Sequence, residues 1–399
     1  MNEKHKPAIE GGKPISPDLI QFAKANLDDS EFKEIIDTLK SGWLTYGPKS
    51  IEFEKSFSEY IGVRHSIAVN SCTSGLHLAL LSLNIKPGDE IITTVLTFVA
   101  TCEVILHTGA KPILVDIDET LNLDLKKVES VITDKTKAII PVHFGGQPCD
   151  MDSLRKISKK YNLPIIEDAA HASGSKYRDS NIGQIGDITV FSFYANKNIT
   201  TGEGGMITTN NTKIAEKIRT LSLHGISNDA WNRFSDKGKW YYEVVELGYK
   251  YNFTDIQASL GIHQLKKLST FNDERLSIAN KYIVNFQNNN FIIMPKQIPF
   301  IFNSWHLFPI QIEFSQLKIN RDFFIEALEA EGIKTSVHYL PIHMHPYYKK
   351  KYDYSNQDYP VALKYYENAL SLPIYPGMDN NDIDNVVTAV LKLIDYYKI

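Results

Sequence analysis

The sequence predicts an α/β fold: a large unit with a mostly parallel β-sheet sandwiched between helices, followed by a smaller α+β C-terminal unit. Three observations predict it. Between about residues 65 and 223, short β-branched runs alternate with longer amphipathic stretches, the pattern of βα units. Beyond about residue 254 that rhythm stops, and no further series of parallel strands follows. The 399 residues are 43% hydrophobic and 23% charged, enough core-forming sequence for two or three domains at roughly 150 residues each.

Taken in order, the β-branched runs place strands at 66–69, 90–94, 111–115, 138–143, 164–167, 188–193 and 205–209. Between several of them, amphipathic patterns place helices at 75–83, 98–107, 125–132, 151–161 and 213–223. Two further helices are expected at 254–268 and 272–288, with the first unit ending at residue 268 and the second covering 269–399. That second unit is read as a strand at 305–314, a helix at 321–331 after Asn320, a strand at 335–339 and two terminal helices. In such sheets, sites form at the carboxyl ends of strands.

Several function classes drop out. Forty-three basic against 47 acidic residues give a net charge of -4, which provides no electrostatic reason for a nucleic-acid partner. Cys72, Cys102 and Cys149 include no CxxC pair and fit neither a disulfide framework nor a zinc finger, so a reducing compartment is expected. The polar first 16 residues contain no secretory apolar core, and no apolar run reaches the roughly 20 residues that span a bilayer; the expectation is a cytoplasmic protein without membrane attachment. N-x-[ST] triplets at Asn198, Asn210 and Asn252 carry no weight in that setting. The stretch Gly42 to Ser50 approaches a phosphate loop, but Pro48 stands where the lysine should be, so the glycines are read as a turn before a helix. No GxGxxG follows the early strands, and neither GxSxG nor HExxH is present. His338, His343 and His345 lack an acidic or cysteine partner at ligand spacing and are read as surface or cleft histidines, so no metal is expected.

The informative stretch is Ile165-Ile-Glu-Asp168-Ala-Ala-His171, followed 29 residues after Asp168 by Lys197 within Phe191 to Gly205. Each half is a strand ending in polar residues that the strand itself does not require. Alone, Asp168 reads as a cap and Lys197 as a surface lysine. Together they have the layout of a pyridoxal phosphate site, with a lysine to hold the aldehyde and an acid to keep the ring nitrogen protonated.

With its flanks, this pair resembles the DegT/DnrJ/StrS sugar aminotransferases, of the fold type I (aspartate aminotransferase-like) pyridoxal phosphate enzymes. The resemblance covers nearly the whole chain. Its blocks are Gly42-Trp-Leu-Thr-Tyr-Gly-Pro48, Asn70-Ser-Cys-Thr73-Ser-Gly75-Leu-His77, Thr97-Phe98-Val-Ala-Thr101, Pro141-Val-His-Phe-Gly-Gly146, Glu167-Asp-Ala-Ala-His171 and Phe191 to Gly205. They continue with Gly248 to Asp255, Trp305-His306-Leu-Phe308, Val337-His338-Tyr339 and Ser371 to Pro376.

The resemblance implies pyridoxal 5'-phosphate held covalently by Lys197, which then moves the proton during amine transfer, and Asp168 paired with the ring nitrogen. It implies a phosphate contact from Thr73, Ser74 and Ser192, and an aromatic ring, Phe98, against the pyridine. His171 is expected beside the ring or its phenolic oxygen. His306, His338 and Tyr194 are expected on the substrate side. Where much of the family has asparagine in the 248–255 block, this chain has Lys250; either Lys250 or Asn252 is expected to reach the phosphate of a neighbouring subunit, in a homodimer with shared active sites.

The implied reaction moves an amino group from an amino acid, glutamate by expectation, to the keto carbon of a nucleotide-linked deoxysugar. Arg275 and Arg321 are the only arginines beyond residue 233, which argues against a substrate-carboxylate clamp of the amino-acid aminotransferase type. The alternatives are such an amino-acid aminotransferase, or a cofactor-binding regulator without turnover. Positions 3 and 4 of the sugar both remain open, as does the nucleotide, and sugar recognition is assigned to loops such as 226–241.

Overall fold

A computed structural model describes residues 6–226 and 242–399. The chain runs through α1 (Asp29–Ser41), α2 (Pro48–Ile61), β1 (His65–Val69), α3 (Cys72–Ser82), β2 (Glu90–Thr94), α4 (Val99–His107) and β3 (Lys111–Val115). It continues with α5 (Leu125–Val128), β4 (Thr136–Ile140), α6 (Met151–Tyr161), β5 (Ile166–Asp168), the small hairpin β6 (Lys176–Tyr177) and β7 (Ser180–Asn181), β8 (Ile188–Ser192), β9 (Gly205–Thr209) and α7 (Thr212–Ser222).

The hydrogen-bonded groups β1-β9-β8-β5 and β4-β2-β3 join through parallel bridges at Ile139–Ile165 and Val142–Asp168, giving one seven-stranded order β1-β9-β8-β5-β4-β2-β3. Only β9 runs against its neighbours. The reason is the connection: no helix separates β8 from β9, and without a crossover the chain can return only antiparallel. Successive strand residues face opposite sides, and both sides are dry. Ala68, Ile92, Ile139, Phe191 and Met206 pack with Phe53, Phe57, Leu154 and Leu265 on one side. Ile67, Ile91, Ile140, Val190 and Ile207 pack with Leu76, Val104 and Ile218 on the other.

The Gly42 to Ser50 stretch is a turn and helix start. Gly47 caps α2 and Pro48 opens it. The carboxylate of Asp255 fills that helix N-terminus, accepting hydrogen bonds from Gly47 N, Lys49 N, Ser50 N and Ser50 Oγ at 2.7 to 3.0 Å. A carboxylate from within the chain already occupies the place where a phosphate would sit.

Several elements differ from expectation. The two helices expected at 254–268 and 272–288 are one, α8 (Asp255–Phe286), of 32 residues and about 48 Å. No glycine or proline interrupts the 269–271 junction, and Phe271 is buried in the first core, so nothing ends the helix there. Residues Ala258 to Leu268 serve that core, while Ile278, Ala279, Tyr282 and Phe286 serve a second one. The second core also contains Ile20, and Ser16 N donates to Glu331 O, so residues 16–20 pack against the C-terminal unit.

That second unit has an antiparallel sheet of β10 (Ile292–Ile293), β12 (Phe308–Ile312) and β13 (Ala369–Leu372), with β11 (Ile301–Phe302) pairing back to the β6 hairpin. Helices α9 (Arg321–Ala330), α10 (Pro346–Lys351), α11 (Pro360–Asn368) and α12 (Asn380–Tyr397) complete it, so three helices follow residue 339 where two were expected. The strand expected at 335–339 is an extended segment with a single bridge, Ser336–Ser371, because its last side chains turn into the cavity described next. Among the described residues, no helix is long and apolar enough to cross a membrane.

Candidate active site

The carboxyl ends of β5 and β8 and the start of α3 surround a cavity of about 510 Å³. Residues Thr73, Phe98, Asp168, His171, Ser192, Tyr194, Lys197 and His338, all expected at the site, line it. The loop 226–241, with Trp231, Arg233 and Trp240, lies outside the described residues apart from Ile226.

Strand alternation selects the acid. Glu167 and Asp168 are adjacent at the end of β5 and therefore point to opposite sides. Glu167 is turned away, fully buried against His143 Nε2 at 2.8 Å, Gly186 N at 2.7 Å and Thr189 Oγ1 at 2.7 Å. Asp168 faces the cavity, where Thr101 Oγ1 donates to Oδ2 at 2.8 Å and Ala170 N donates to Oδ1 at 3.1 Å. Burial raises its pKa, and the Thr101 hydroxyl, the Ala170 amide and Lys197 oppose that rise.

Lys197 sits in the β8–β9 loop, which is fixed by Asn198: its Nδ2 donates to Asn272 Oδ1 at 2.7 Å and Ser304 O at 2.9 Å. Lys197 Nζ lies 3.5 Å from His306 Nε2. Burial lowers the lysine pKa to about 8, with Cys72 and Asp168 opposing the shift. His306 is also kept far below its usual pKa by burial and by Lys197. Its backbone is held by Arg275, whose buried Nη1 donates to Trp305 O at 3.2 Å, His306 O at 3.4 Å and Ile374 O at 2.7 Å.

At the other wall, Ser71 caps α3: its Oγ accepts from Ser74 N at 3.0 Å. Ser74 Oγ donates back to Ser71 O at 2.7 Å, so that hydroxyl is committed to the cap, and Ser74 lines a neighbouring depression instead. Cys72 and Thr73 in the first turn have amides without intrahelical acceptors, pointing where an anion would be favoured. Gly205 permits this approach, since a Cβ there would lie 2.7 Å from Cys72 N. Ser192 Oγ accepts from Tyr194 N at 3.3 Å and also faces the cavity.

Phe98 is 56% exposed at the mouth, its ring 5.9 Å from that of Tyr339. His338 Nδ1 is 3.0 Å from Ser371 Oγ, and burial holds its pKa down to about 3. Of the other histidines in that cluster, His343 packs on the Tyr359 ring and His345 meets Leu340 O. Lys250 and Asn252 are not brought to the cavity by this chain: Lys250 is exposed on a segment bridged to Leu223, and Asn252 Nδ2 donates to Phe253 O. Arg321 lies over the Tyr366 ring and pairs with Asp322, away from the cavity.

Two residues given no role by the sequence reading belong here. Thr101 orients Asp168, and Tyr339 lines the cavity; both stand inside blocks quoted above, so position within a block was their only signal. A buried amine, a buried carboxylate and a helix N-terminus around one cavity fit pyridoxal 5'-phosphate by their chemistry: an aldehyde partner, a ring-nitrogen partner and a phosphate partner.

The chain is similar to several known proteins. The family described as DegT/DnrJ/EryC1/StrS aminotransferase matches residues 25–391. An uncharacterized protein of Methanocaldococcus jannaschii is 54% identical over 92% of this chain and 96% of its own length. The spore coat polysaccharide biosynthesis protein SpsC of Bacillus subtilis is 49% identical over 91% of this chain and 94% of its own. Among solved structures, the putative sugar aminotransferase Spr1654 of Streptococcus pneumoniae in its PMP form has a TM-score of 0.89 at 34% identity, covering 94% of this chain and 99% of that one.

Proposed function

The chain belongs to the DegT/DnrJ/EryC1/StrS aminotransferase family and is a pyridoxal-phosphate-dependent sugar aminotransferase; from that premise we propose that its acceptor is a nucleotide-linked keto-deoxysugar and its donor glutamate. The observation that carries the reading is the buried Lys197 amine sharing one cavity with the Asp168 carboxylate and the N-terminus of α3.

Bound pyridoxal phosphate supplies an aldehyde to carry the amine and a protonated ring to accept the electron pair released at carbon. Asp168, oriented by Thr101 and Ala170, would hold the proton on the ring nitrogen. Lys197 Nζ, its pKa lowered to about 8 by burial, is partly neutral at physiological pH and would take the proton from the donor's α-carbon and later deliver one to the acceptor's former keto carbon. The Cys72 and Thr73 amides and Ser192, all lining the cavity, would hold the phosphate, and Phe98 would offer its ring to the pyridine. His306, His338 and Tyr194 contact substrate or support those that do.

The spent arginines support a sugar acceptor. Arg275 donates to backbone carbonyls and Arg321 lies elsewhere, so neither is available to clamp an acceptor carboxylate in this cavity. Lys250 and Asn252, both outside the chain's own cavity, support a homodimer in which one of them completes the partner's phosphate site. The three unpaired cysteines support a reducing, cytoplasmic setting.

The test is amine transfer from glutamate to a panel of nucleotide keto-sugars by the loaded enzyme. An aminated product with one of them supports the proposal. Transfer to keto acids alone would sink it.

A further inference from the structure

The cavity contains a histidine–tyrosine pair whose hydrogen bonds have a defined direction. Residues Phe144–Gly146 form a tight turn with Gly145 at φ 63° and Gly146 at φ 99°, which aims Gly145 N–H at His171 Nδ1, 3.2 Å away. A ring nitrogen that accepts a backbone N–H carries no proton of its own. Burial, with Lys197 and His338 nearby, keeps His171 neutral, so its single proton is on Nε2. Nε2 lies 3.0 Å from the Tyr339 hydroxyl oxygen and donates to it.

The direction of that bond fixes the next one. With its oxygen accepting from His171, the Tyr339 hydroxyl has its own proton left to give. Burial and the Asp168 carboxylate raise its pKa, so the proton is retained across the neutral range. His171 is its hydrogen-bond partner among the described residues, and the side chain lines the same cavity as Lys197 and Asp168. The ring is wedged against Phe98 and Phe144, with centroids 5.9 and 6.1 Å away, which limits its rotation.

We propose that Tyr339 is an obligate hydrogen-bond donor of the active site, its proton turned by the Gly145–His171 pair toward an electron-rich oxygen on the molecule bound beside Lys197. This deepens the aminotransferase reading and rests on it. Two sources present that oxygen: the phenolic oxygen of the cofactor and the keto oxygen of the acceptor sugar. His171 is the positioning residue and Tyr339 the contacting one.

The experiment uses the pyridoxal-phosphate-loaded enzyme in the wild-type, Tyr339→Phe, His171→Leu and His171→Gln forms. Each is titrated with pH by its visible absorbance, and the donor and acceptor half-reactions are timed separately. If no form acquires a Lys197-dependent band, the aminotransferase reading itself has failed, a result distinct from those below. If the phenolic oxygen is the acceptor, Tyr339→Phe moves the titration midpoint up by about one unit, the size of one lost hydrogen bond. If the keto oxygen is the acceptor, the midpoint stays and the acceptor half-reaction alone slows by roughly tenfold. In either case His171→Leu shifts the same reading in the same direction, and His171→Gln, which retains an N–H donor, restores part of it. Unchanged midpoint and unchanged half-reactions in Tyr339→Phe would overturn the proposal. So would a His171→Leu enzyme indistinguishable from wild type.

Discussion

Lys197 Nζ lies 3.5 Å from His306 Nε2, so the amine proposed to hold the cofactor faces a neutral imidazole and not a carboxylate. That choice of neighbour has a clear electrostatic effect. A carboxylate at this distance would stabilise the ammonium form, whereas a buried uncharged ring leaves desolvation to dominate and frees the amine near neutral pH.

Lys197 has a folded-state pKa of about 8 against a reference of 10.5. In the cofactor-free protein, the rate of capture of pyridoxal phosphate should therefore rise with pH and level off above about 8, as read by growth of the visible band. The linkage sign follows: between about 8 and 10.5 the unfolded chain binds more protons at this site, so the cofactor-free protein should gain stability as pH rises through that window. Lys197→Met should lack the band and abolish this local pH dependence.

Thr101→Val should leave cofactor bound but weaken the orientation of Asp168. Loss of a buried hydrogen bond to a carboxylate is worth roughly 1.5–3 kcal/mol, which predicts a kcat fall of about tenfold or more with little change in KM. Asp168→Asn should cost more, because the ring proton loses its charged partner. A Thr101→Val enzyme at full kcat would contradict the assigned role.

Arg275 is completely buried, its pKa lowered to about 9 by burial, and it donates to three backbone carbonyls that bring Trp305, His306 and Ile374 together. Arg275→Ala opens a cavity and leaves those carbonyls unsatisfied, so denaturant unfolding should show a loss of roughly 3 kcal/mol or more. Cofactor affinity should fall with it, since His306 loses its anchor.

Glu331 is fully buried at the end of α9 and ties down the N-terminal segment, accepting from Ala8 N at 2.8 Å and Ile15 N at 3.0 Å, with Lys392 Nζ at 2.8 Å. Glu331→Ala removes two tethers and strands a buried lysine, a change expected to cost about 3–5 kcal/mol. Limited thermolysin digestion should then cut before Leu19 and Ile20 much faster than in the wild type. Equal cutting rates would show that Ile20 and its apolar contacts suffice.

Much of the large unit is written locally. The β-branched runs that become β1 to β5, β8 and β9 and the amphipathic runs that become α6 and α7 carry their own periodicity, and the Asp168–Lys197 pair stands out because polar residues close two apolar strands. The continuity of α8 was not visible, because polar Ser269, Thr270 and Asn272 weaken the apolar pattern exactly where the helix passes from one core to the other. Nor was the strand expected at 335–339 separable from an extended segment, since its sequence fits both and only its single bridge to Ser371 distinguishes them.

The sequence by itself determined the α/β alternation, the family blocks and the residue types that meet at the cavity, because these depend on neighbours along the chain. Tertiary structure decided what depends on direction: that Asp168 and not Glu167 faces the cavity, that Ser74 closes its own helix cap while Thr73 looks outward, that Arg275 is spent on carbonyls, and which way the His171–Tyr339 hydrogen bond runs. Apart from the Ser71–Ser74 cap, these contacts join groups far apart in sequence, so no reading of local pattern can assign them.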